Sequence, residues 1–505
     1  MPMGRPNIAL AFVRLALILT ALAMVLAGGC VSHDKYTYQA IKAEQQAPAP
    51  AGPAAGQAAR QGPSRPQTPP EVKLPAQLTL RQAIGLALAH SPDQQMALAR
   101  IRQSEALVDQ ALAAFWPRLA LQGSYQRGDA PSAYLFTAID QRTLGPAVNF
   151  NQPGTFQNFE AGLKAGWNLF RGGQDLLRRR MAETGLEISR LDRQSVENAL
   201  TASVIRAFYN ALAARDFAAI ARDSEKTVGA QLRVMQVRHE AGGALKSDVL
   251  SLKVRLAAAH ESLVRAQNNY RLSLAALANL MGADPDAEFT PREGGGPGLK
   301  TPPTYRQGLA VALELRPELK KARRQVERAR MGLDRAKAGY LPSLDAQGRL
   351  FLDAGAPGEF EADRANWLAG LVLNWDLFTG FSTGAEVRAA AAQLERILAA
   401  DRKTSRRVQL EVKSAYLNLA AARARGRVSA ASVLSARESL TLVQRQYDGG
   451  AATVTRYLEA ELDLSRARQR AAAARYDQAK AAADVARALG LWARYARQPE
   501  NRHAP

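Results

Sequence analysis

The sequence predicts a mainly α-helical chain made of two copies of one unit, in which a β-hairpin precedes a very long helical hairpin. Three observations support this fold class. The 505-residue chain contains an internal duplication, four short segments alternate apolar and polar residues, and long proline-free stretches carry apolar residues at helical spacing.

The duplication is visible as two constant offsets between matching residues. An offset of 225 aligns 80–83 (LRQA) with 305–308 (YRQG), and 115–119 (FWPRL) with 340–344 (YLPSL). From Trp167 to Gly282 the offset is 208, and it aligns WNLF with WDLF. The two copies therefore cover about 78–283 and 304–491, with a Gly/Pro-rich linker over 284–303. The 17 extra residues of the first copy fall between Pro117 and Trp167, which predicts an exposed hairpin loop there.

Four segments alternate with the period of two that β-strands have. They lie at about 118–126, 159–169, 343–352 and 367–377, and Trp167 and Trp375 stand near the ends of two of them. Apolar-out, polar-in alternation with terminal aromatic residues is typical of membrane barrel strands, although a soluble sandwich gives the same period. Two hairpins cannot close a barrel within one chain. If they cross a membrane, several chains must share the barrel.

The rest of each copy predicts a helical hairpin, over 173–282 and 381–490. Val204, Phe208, Ala211 and Leu212 form one apolar stripe at helical spacing. A helix of about 68 residues would be about 100 Å long, so these helices must pack side by side as coiled coils. Each long helix breaks at a glycine pair, 242–243 or 449–450, which predicts a tight tip.

The N-terminus predicts export. Residues 1–29 have a basic start and an apolar core over 15–26, as a secretory signal does. The only cysteine, Cys30, follows at once in a run that resembles a lipobox, which predicts lipidation of this residue; an ordinary signal peptide with a spare cysteine is the alternative. Residues 30–77 then predict a lipid anchor with a flexible Ala/Pro/Gln-rich linker, and 492–505 predict a polar tail.

Neither an enzyme nor a metal protein is predicted. The five histidines are scattered without metal-ligand spacing, and the sequence has no phosphate-binding loop and no recognisable nucleophile–base pattern. We therefore assign no catalytic residue, metal or cofactor. The formal charge of +21 raises a nucleic-acid-binding coiled coil as a rival, but the charges are spread along helices and the export signal argues against it.

The order of elements, twice over, carries a resemblance. Each copy has a short helix, a second helix ended by proline, two strands, a turn (169–172, LFRG; 377–380, LFTG) and a long helical hairpin. Over about 78–491 the chain thereby resembles the TolC-like outer membrane efflux protein (OEP) family, including its lipoprotein branch.

The resemblance implies a homotrimer in the outer membrane of a Gram-negative bacterium. Each subunit would give four strands to one shared transmembrane β-barrel and its helices to a periplasmic tunnel. Such a protein is a passive exit duct of a tripartite efflux or secretion system. It contacts outer-membrane lipid, to which Cys30 would anchor it by palmitate, and it works with a periplasmic adaptor and an inner-membrane pump. The alternative is a periplasmic coiled-coil adaptor or structural lipoprotein without a channel.

The resemblance also implies roles for particular residues. Adaptor docking is expected at the helical tips, and the entrance gate at two charged residues just after the tips, Asp248 and Arg456. Trp167 and Trp375 are expected at a membrane interface. The docking residues are Gly242, Gly243, Leu245, Gly450, Ala451 and Thr453.

Overall fold

The computed structural model describes residues 72, 74–146, 149–294 and 301–496. The export signal, Cys30, most of the linker that follows it and the last nine residues of the tail lie outside this part. Lipidation of Cys30 therefore stays a prediction. None of the helices in the described ranges is both long and apolar enough to cross a membrane.

The chain order of elements repeats between the two copies. The first copy has two short helices, two strands separated by a third short helix, and a long helical hairpin: α1 (Leu80–His90), α2 (Pro92–Leu112), β2 (Arg118–Gly128), α3 (Pro131–Asp140), β3 (Phe156–Arg171), α4 (Gln174–Glu240) and α5 (Lys246–Leu280). The second copy has α6 (Tyr305–Leu315), α7 (Pro317–Lys337), β5 (Ser343–Ala354), β6 (Asn366–Asn374), α8 (Ser382–Asp448) and α9 (Val454–Ala488). The mainly helical, duplicated fold class is confirmed.

Two short strands, a short helix and three 3-10 turns (Ala113–Phe115, Ala338–Tyr340 and Ala362–Arg364) complete the described part. Strand β1 (Gln77–Leu78) pairs in parallel with β4 (Thr290–Pro291), and α10 (Leu491–Tyr495) follows α9. Both short first helices begin at a threonine, Thr79 or Thr304. Each threonine side chain accepts a hydrogen bond from the backbone N–H three residues on, which is why both helices start at equivalent points.

One compact unit, formed by Leu112–Asp175 and Ala338–Gly380, contains the main sheet. Its four strands are antiparallel in the order β2-β3-β5-β6. The register opposes Leu121 to Leu163, Leu163 to Leu350, and Leu350 to Trp367. Apolar residues of all four strands therefore share one face.

The second unit contains the long helices. Helices α4 and α8 each have 67 residues, and at 1.5 Å per residue each is about 100 Å long. The largest apolar cluster joins α1, the middle of α4 and the ends of α5 and α9. There the Tyr476 hydroxyl donates to Asp216 at 2.7 Å, which ties α9 to α4. Burial, with this hydrogen bond, raises the pKa of Tyr476 to about 12, so it stays a neutral donor at physiological pH.

Two details differ from the sequence-based expectation. The exposed loop expected between β2 and β3 is present, but it contains the ten-residue helix α3, which was not predicted from the sequence. The fourth strand, expected to reach 377, ends at Asn374, so Trp375 lies just beyond it. The reason lies in the partner strand β5, which begins at Ser343 because Pro342 has no backbone N–H to donate. Ser343 pairs with Asn374, and β6 therefore has no pairing partner beyond Asn374.

Gly308 of α6 differs from its equivalent Ala83 for a packing reason. A Cβ at position 308 would lie 2.4 Å from the hydroxyl oxygen of Tyr416 and 2.6 Å from its ring. That hydroxyl donates to the Pro302 carbonyl at 2.8 Å. In the first copy, the position equivalent to Tyr416 is Phe208, which has no hydroxyl. The second copy thus combines the small Gly308 with the larger Tyr416, whereas the first copy combines Ala83 with Phe208.

We expect Gly308→Ala to destabilise the protein by about 1–3 kcal/mol, because overpacking forces a ring or a helix to move. Adding Tyr416→Phe should restore part of that loss by recreating the pair of the first copy. Thermal unfolding followed by circular dichroism in detergent measures both effects.

Gly332→Ala is the matched control, since a Cβ there meets only the Met181 methyl at 3.8 Å. It should be neutral or stabilising by up to about 1 kcal/mol, as for an ordinary helical glycine. Equal unfolding temperatures for Gly308→Ala and Gly332→Ala would contradict the packing argument.

Candidate functional site

The apolar face of the sheet is unusually exposed within the chain. Leu121 is 77% exposed and Trp367 is 76% exposed, and Leu119, Leu371 and Leu373 are similarly open. Isolated apolar side chains at a surface need no explanation, but a face of this kind running over four strands indicates contact with an apolar medium or partner.

The opposite face of the sheet is polar and charged. Glu160 of β3 and Arg349 of β5 form an ion pair across it, and Arg349 also lies over the ring of Phe351, 4.3 Å from its centroid. Gln122 of β2 is on this face as well. The polar character is weakest at the β6 edge, where Leu368 points to the same side. The two faces differ as the wall of an aqueous passage would.

Trp167 and Trp375 lie at the same end of the sheet. The Trp167 indole N–H donates to the Phe115 carbonyl at 3.0 Å, and the Trp375 indole donates to the Tyr340 carbonyl at 3.1 Å. Each hydrogen bond joins the second strand of a β-hairpin, at or just beyond its end, to the 3-10 turn that precedes the first strand. Both indoles remain about half exposed. An aromatic ring held by its polar atom, with its apolar body open, suits a membrane interface; that role stays a prediction.

The two helical tips turn with the same backbone geometry. Gly242 and Gly450 both have φ of 77°, which favours glycine. In the first tip the Gly243 N–H bonds back to the Arg238 carbonyl at 2.7 Å, and in the second the Ala451 N–H bonds to the Gln446 carbonyl at 2.7 Å. Both tips are therefore Schellman caps, and the backbone at the tips is fixed.

The side chains at the tips differ between the copies. Thr453 caps α9 by accepting a hydrogen bond from the Arg456 backbone N–H at 3.3 Å. The equivalent residue, Leu245, makes no side-chain cap and is 69% exposed. The other four expected docking residues are exposed as well. The first tip thus presents an apolar side chain, and the second a polar one.

Just behind the tips, the two helical hairpins pack on each other. An apolar cluster unites α4, α5, α8 and α9 around Leu252 and Val228. Tyr447 and Tyr457 stack there with ring centroids 5.5 Å apart, and the Arg238 guanidinium lies 5.8 Å from the Tyr447 ring. Burial, together with the negative charges of Glu461 and Asp448, raises the pKa of Tyr457.

Glu461 is a functional candidate that sequence reasoning missed. It is 5% exposed, accepts a hydrogen bond from the Ser224 hydroxyl at 2.7 Å, and lies 3.8 Å from the Arg255 guanidinium. It therefore links α9 to α4 and α5. The available signal was a single charge within the apolar stripe of Tyr457, Ala460 and Leu464.

The two expected gate residues occupy equivalent positions in the first turns of α5 and α9. Arg456 forms an ion pair with Glu459 at 3.5 Å. Asp248 is half-buried, and among the described residues the structure records no ion pair between it and Arg456. One chain thus brings opposite charges to equivalent points of its two tips without joining them.

A metal site is absent from the part of the chain that the structure describes, where no three histidine, cysteine or acidic side chains are grouped suitably.

Comparison with known proteins decides the family. The model of the family described as "Outer membrane efflux protein" matches residues 83–283 and 309–491. The chain belongs to the outer membrane efflux protein family. The resemblance seen in the sequence is thereby confirmed, and so are the location in the outer membrane and the function as an efflux or secretion channel. The family is one of transport channels.

Relatives and solved structures agree with this family. Protein CyaE of Bordetella pertussis is 27% identical over 413 residues, which cover 81% of this chain and 82% of CyaE. The pyoverdine export outer membrane protein OpmQ of Pseudomonas aeruginosa is 26% identical, covering 80% of this chain and 83% of OpmQ. The Campylobacter jejuni CmeC outer membrane channel has the same fold, with a TM-score of 0.71 at 17% identity over 81% of this chain and 85% of CmeC.

Proposed function

We propose that three copies of this chain form one passive exit duct of a tripartite efflux or secretion system. The observation that carries the proposal is the sheet of the first unit. It has one apolar and one polar face, and each of its outer strands, β2 and β6, has an edge to which no described strand pairs. In lipid, unpaired backbone edges must find partners. Pairing β6 of one copy with β2 of the next closes a barrel with its polar face inside.

The substrate depends on the pump, because a passive duct supplies no energy and few specific contacts. By name, OpmQ is a pyoverdine export protein and AprF of Pseudomonas aeruginosa is an alkaline protease secretion protein, so relatives of similar identity serve both export and secretion. The same wall would serve any substrate that the docked pump and adaptor deliver.

The tips are the proposed docking surface for the adaptor. Their backbone is fixed by Schellman caps, and their side chains are exposed, with Leu245 as the largest apolar group. A rigid turn that presents one apolar side chain suits recognition by another helical hairpin, because little conformational freedom is lost on binding.

The proposed entrance gate consists of Asp248 and Arg456. They occupy equivalent positions of the two copies and carry opposite charges. Around a ring of three subunits the two kinds of tip would alternate, so each Asp248 would approach an Arg456 of a neighbouring subunit. Attraction between these charges would then favour a narrow entrance.

The lumen-facing side of the sheet can be tested on two neighbouring residues of β2. In Gln122→Cys, a charged, membrane-impermeant thiol reagent should lower single-channel conductance in up to three steps, because position 122 faces the lumen. Leu121→Cys should be unaffected, since position 121 faces lipid. Conductance in planar bilayers, before and after the reagent, is the measurement.

The unsubstituted protein, whose only cysteine is Cys30, is the background control, and its mass in mild detergent should be about three chain masses. The absence of channels, with a monomer released without detergent, would refute the duct. If the reagent lowers the conductance of Leu121→Cys but not of Gln122→Cys, the face that contains Leu121 lines the lumen and the assignment of the two faces is reversed.

Docking at the tips predicts a contact in the native cell. A photocrosslinking residue in place of Leu245 should capture the periplasmic adaptor, identified by mass spectrometry. The same residue in place of Leu410, equally exposed but far along α8 from the tip, should capture much less. Equal capture at both positions, or none at 245, would contradict docking by the tips.

Gating by the charged pair predicts that Asp248→Arg raises single-channel conductance, because repulsion from Arg456 of a neighbour replaces attraction. The double variant Asp248→Arg with Arg456→Asp exchanges the charges and should return the conductance toward its original value. If Asp248→Arg leaves conductance and gating unchanged, this residue does not belong to the gate.

A further inference from the structure

Helix α3 lies in the first hairpin loop of the sheet unit and is not needed to form the wall of the proposed duct. The second hairpin loop, between β5 and β6, contains only a short 3-10 turn (Ala362–Arg364) where the first contains α3. The helix therefore belongs to the residues by which the first copy is longer. It lies at the loop end of the sheet, opposite the strand ends that lead to the long helices.

The C-terminal end of α3 is held to three strands. Gln141, directly after the helix, donates to the Asn158 side chain of β3 at 2.8 Å, and Asn158 in turn donates to Asp353 of β5 at 2.5 Å. The Asn366 side chain of β6 donates to the Asp140 carbonyl at 3.2 Å. Asp353 is only 3% exposed, and a carboxylate buried this far requires its hydrogen bonds.

The anchoring residues of the sheet all point to its polar side. Asn158 has the same parity as Glu160 on β3, and Glu160 is the register partner of Asp353. Asn366 is the partner of Phe351, which shares the face of Asp353. The aromatic contact between Tyr134 of α3 and Phe156 of β3, 5.7 Å between centroids, is on the same face. Helix α3 therefore lies over the polar face and not over the apolar one.

Helical spacing then fixes what α3 presents on its other side. Tyr134, Ala138 and Gln141 follow each other at i, i+4 and i+7 and face the sheet, and Ala138 is buried. Phe136 and Ile139 lie on the opposite side and are 67% and 44% exposed. If the polar face lines a passage, these two apolar side chains point into it.

We propose that Phe136 and Ile139 of the three subunits form an apolar constriction at the outer mouth of the duct. This inference rests on the proposed function, because it needs the polar face to be the lumen. Three copies of α3, each held by the Gln141–Asn158–Asp353 chain of hydrogen bonds, narrow the passage from the wall inward. An apolar narrowing in a water-filled pore resists wetting and so limits the flow of ions.

The test uses the bilayer recordings already described for position 122. In Phe136→Cys, the same charged thiol reagent should change the conductance in up to three steps, as it does in Gln122→Cys. Without reagent, Phe136→Ser should raise conductance by at least about twofold, because a hydroxyl in place of the ring wets the narrow point. Phe136 is exposed, so both variants should keep the helical signal and the native mass.

Phe360→Ser is the matched control. Phe360 is an exposed aromatic residue of the second hairpin loop, which lacks an α-helix, and its replacement should leave the conductance unchanged. If it raises conductance as much as Phe136→Ser, loosening of the loops in general explains the effect and the constriction is refuted.

The failure of this proposal differs from failure of the duct. Suppose that the reagent lowers the conductance of Gln122→Cys but leaves the conductance of Phe136→Cys unaltered. This result would place α3 outside the lumen and leave the proposed duct intact. Resistance of Phe136→Cys to labelling would also overturn the constriction. An absence of any block at position 122 would instead count against the proposed lumen itself.

Discussion

The unpaired backbone edges of β2 and β6 are the constraint on which the rest of the architecture depends. A buried backbone N–H or C=O without a partner costs several kcal/mol in hydrocarbon, so an open sheet with an apolar face cannot enter a membrane alone. In the proposed duct the exposed apolar face contacts lipid, and the unpaired edges of β2 and β6 would pair with further copies. On this proposal assembly and membrane insertion are coupled, because the neighbouring subunit would supply the hydrogen-bond partners of each edge strand.

The duplication provides the repeated backbone, and the differences between the copies mark where the chain is specialised. The caps at Gly242 and Gly450 have the same φ, and Thr79 and Thr304 start equivalent helices. Departures are local. The exposed Leu245 replaces the helix-capping Thr453 at the equivalent position of the first tip, and among the described residues only the first hairpin loop contains an α-helix. In the proposed ring of three subunits, two kinds of tip would therefore alternate while both copies contribute strands to the same sheet.

Sequence periodicity was sufficient for the fold class because one face of each strand is mostly apolar and each long helix lacks proline. It was insufficient wherever a partner strand decides the outcome. The end of β6 depends on where β5 begins, and so Trp375 falls outside the ladder. Helix α3 has only ten residues, and the spacing of Tyr134, Ala138 and Gln141 acquires meaning only from the sheet beneath it. The tips were predictable from their glycines, whereas Glu461 looked like one charge among many.

The packing behind the tips determines what opening of the entrance must overcome. Separating the two hairpins would withdraw the Arg238 guanidinium of the first hairpin from the Tyr447 ring of the second, a cation–π contact worth roughly 0.5–2 kcal/mol. It would also remove the Ser224 hydroxyl from the buried Glu461 carboxylate, and a hydrogen bond to a charged group contributes about 1.5–3 kcal/mol. In the proposed trimer these contributions would each be present three times. If the tips dock an adaptor as we propose, its binding must supply the free energy that separates the two hairpins.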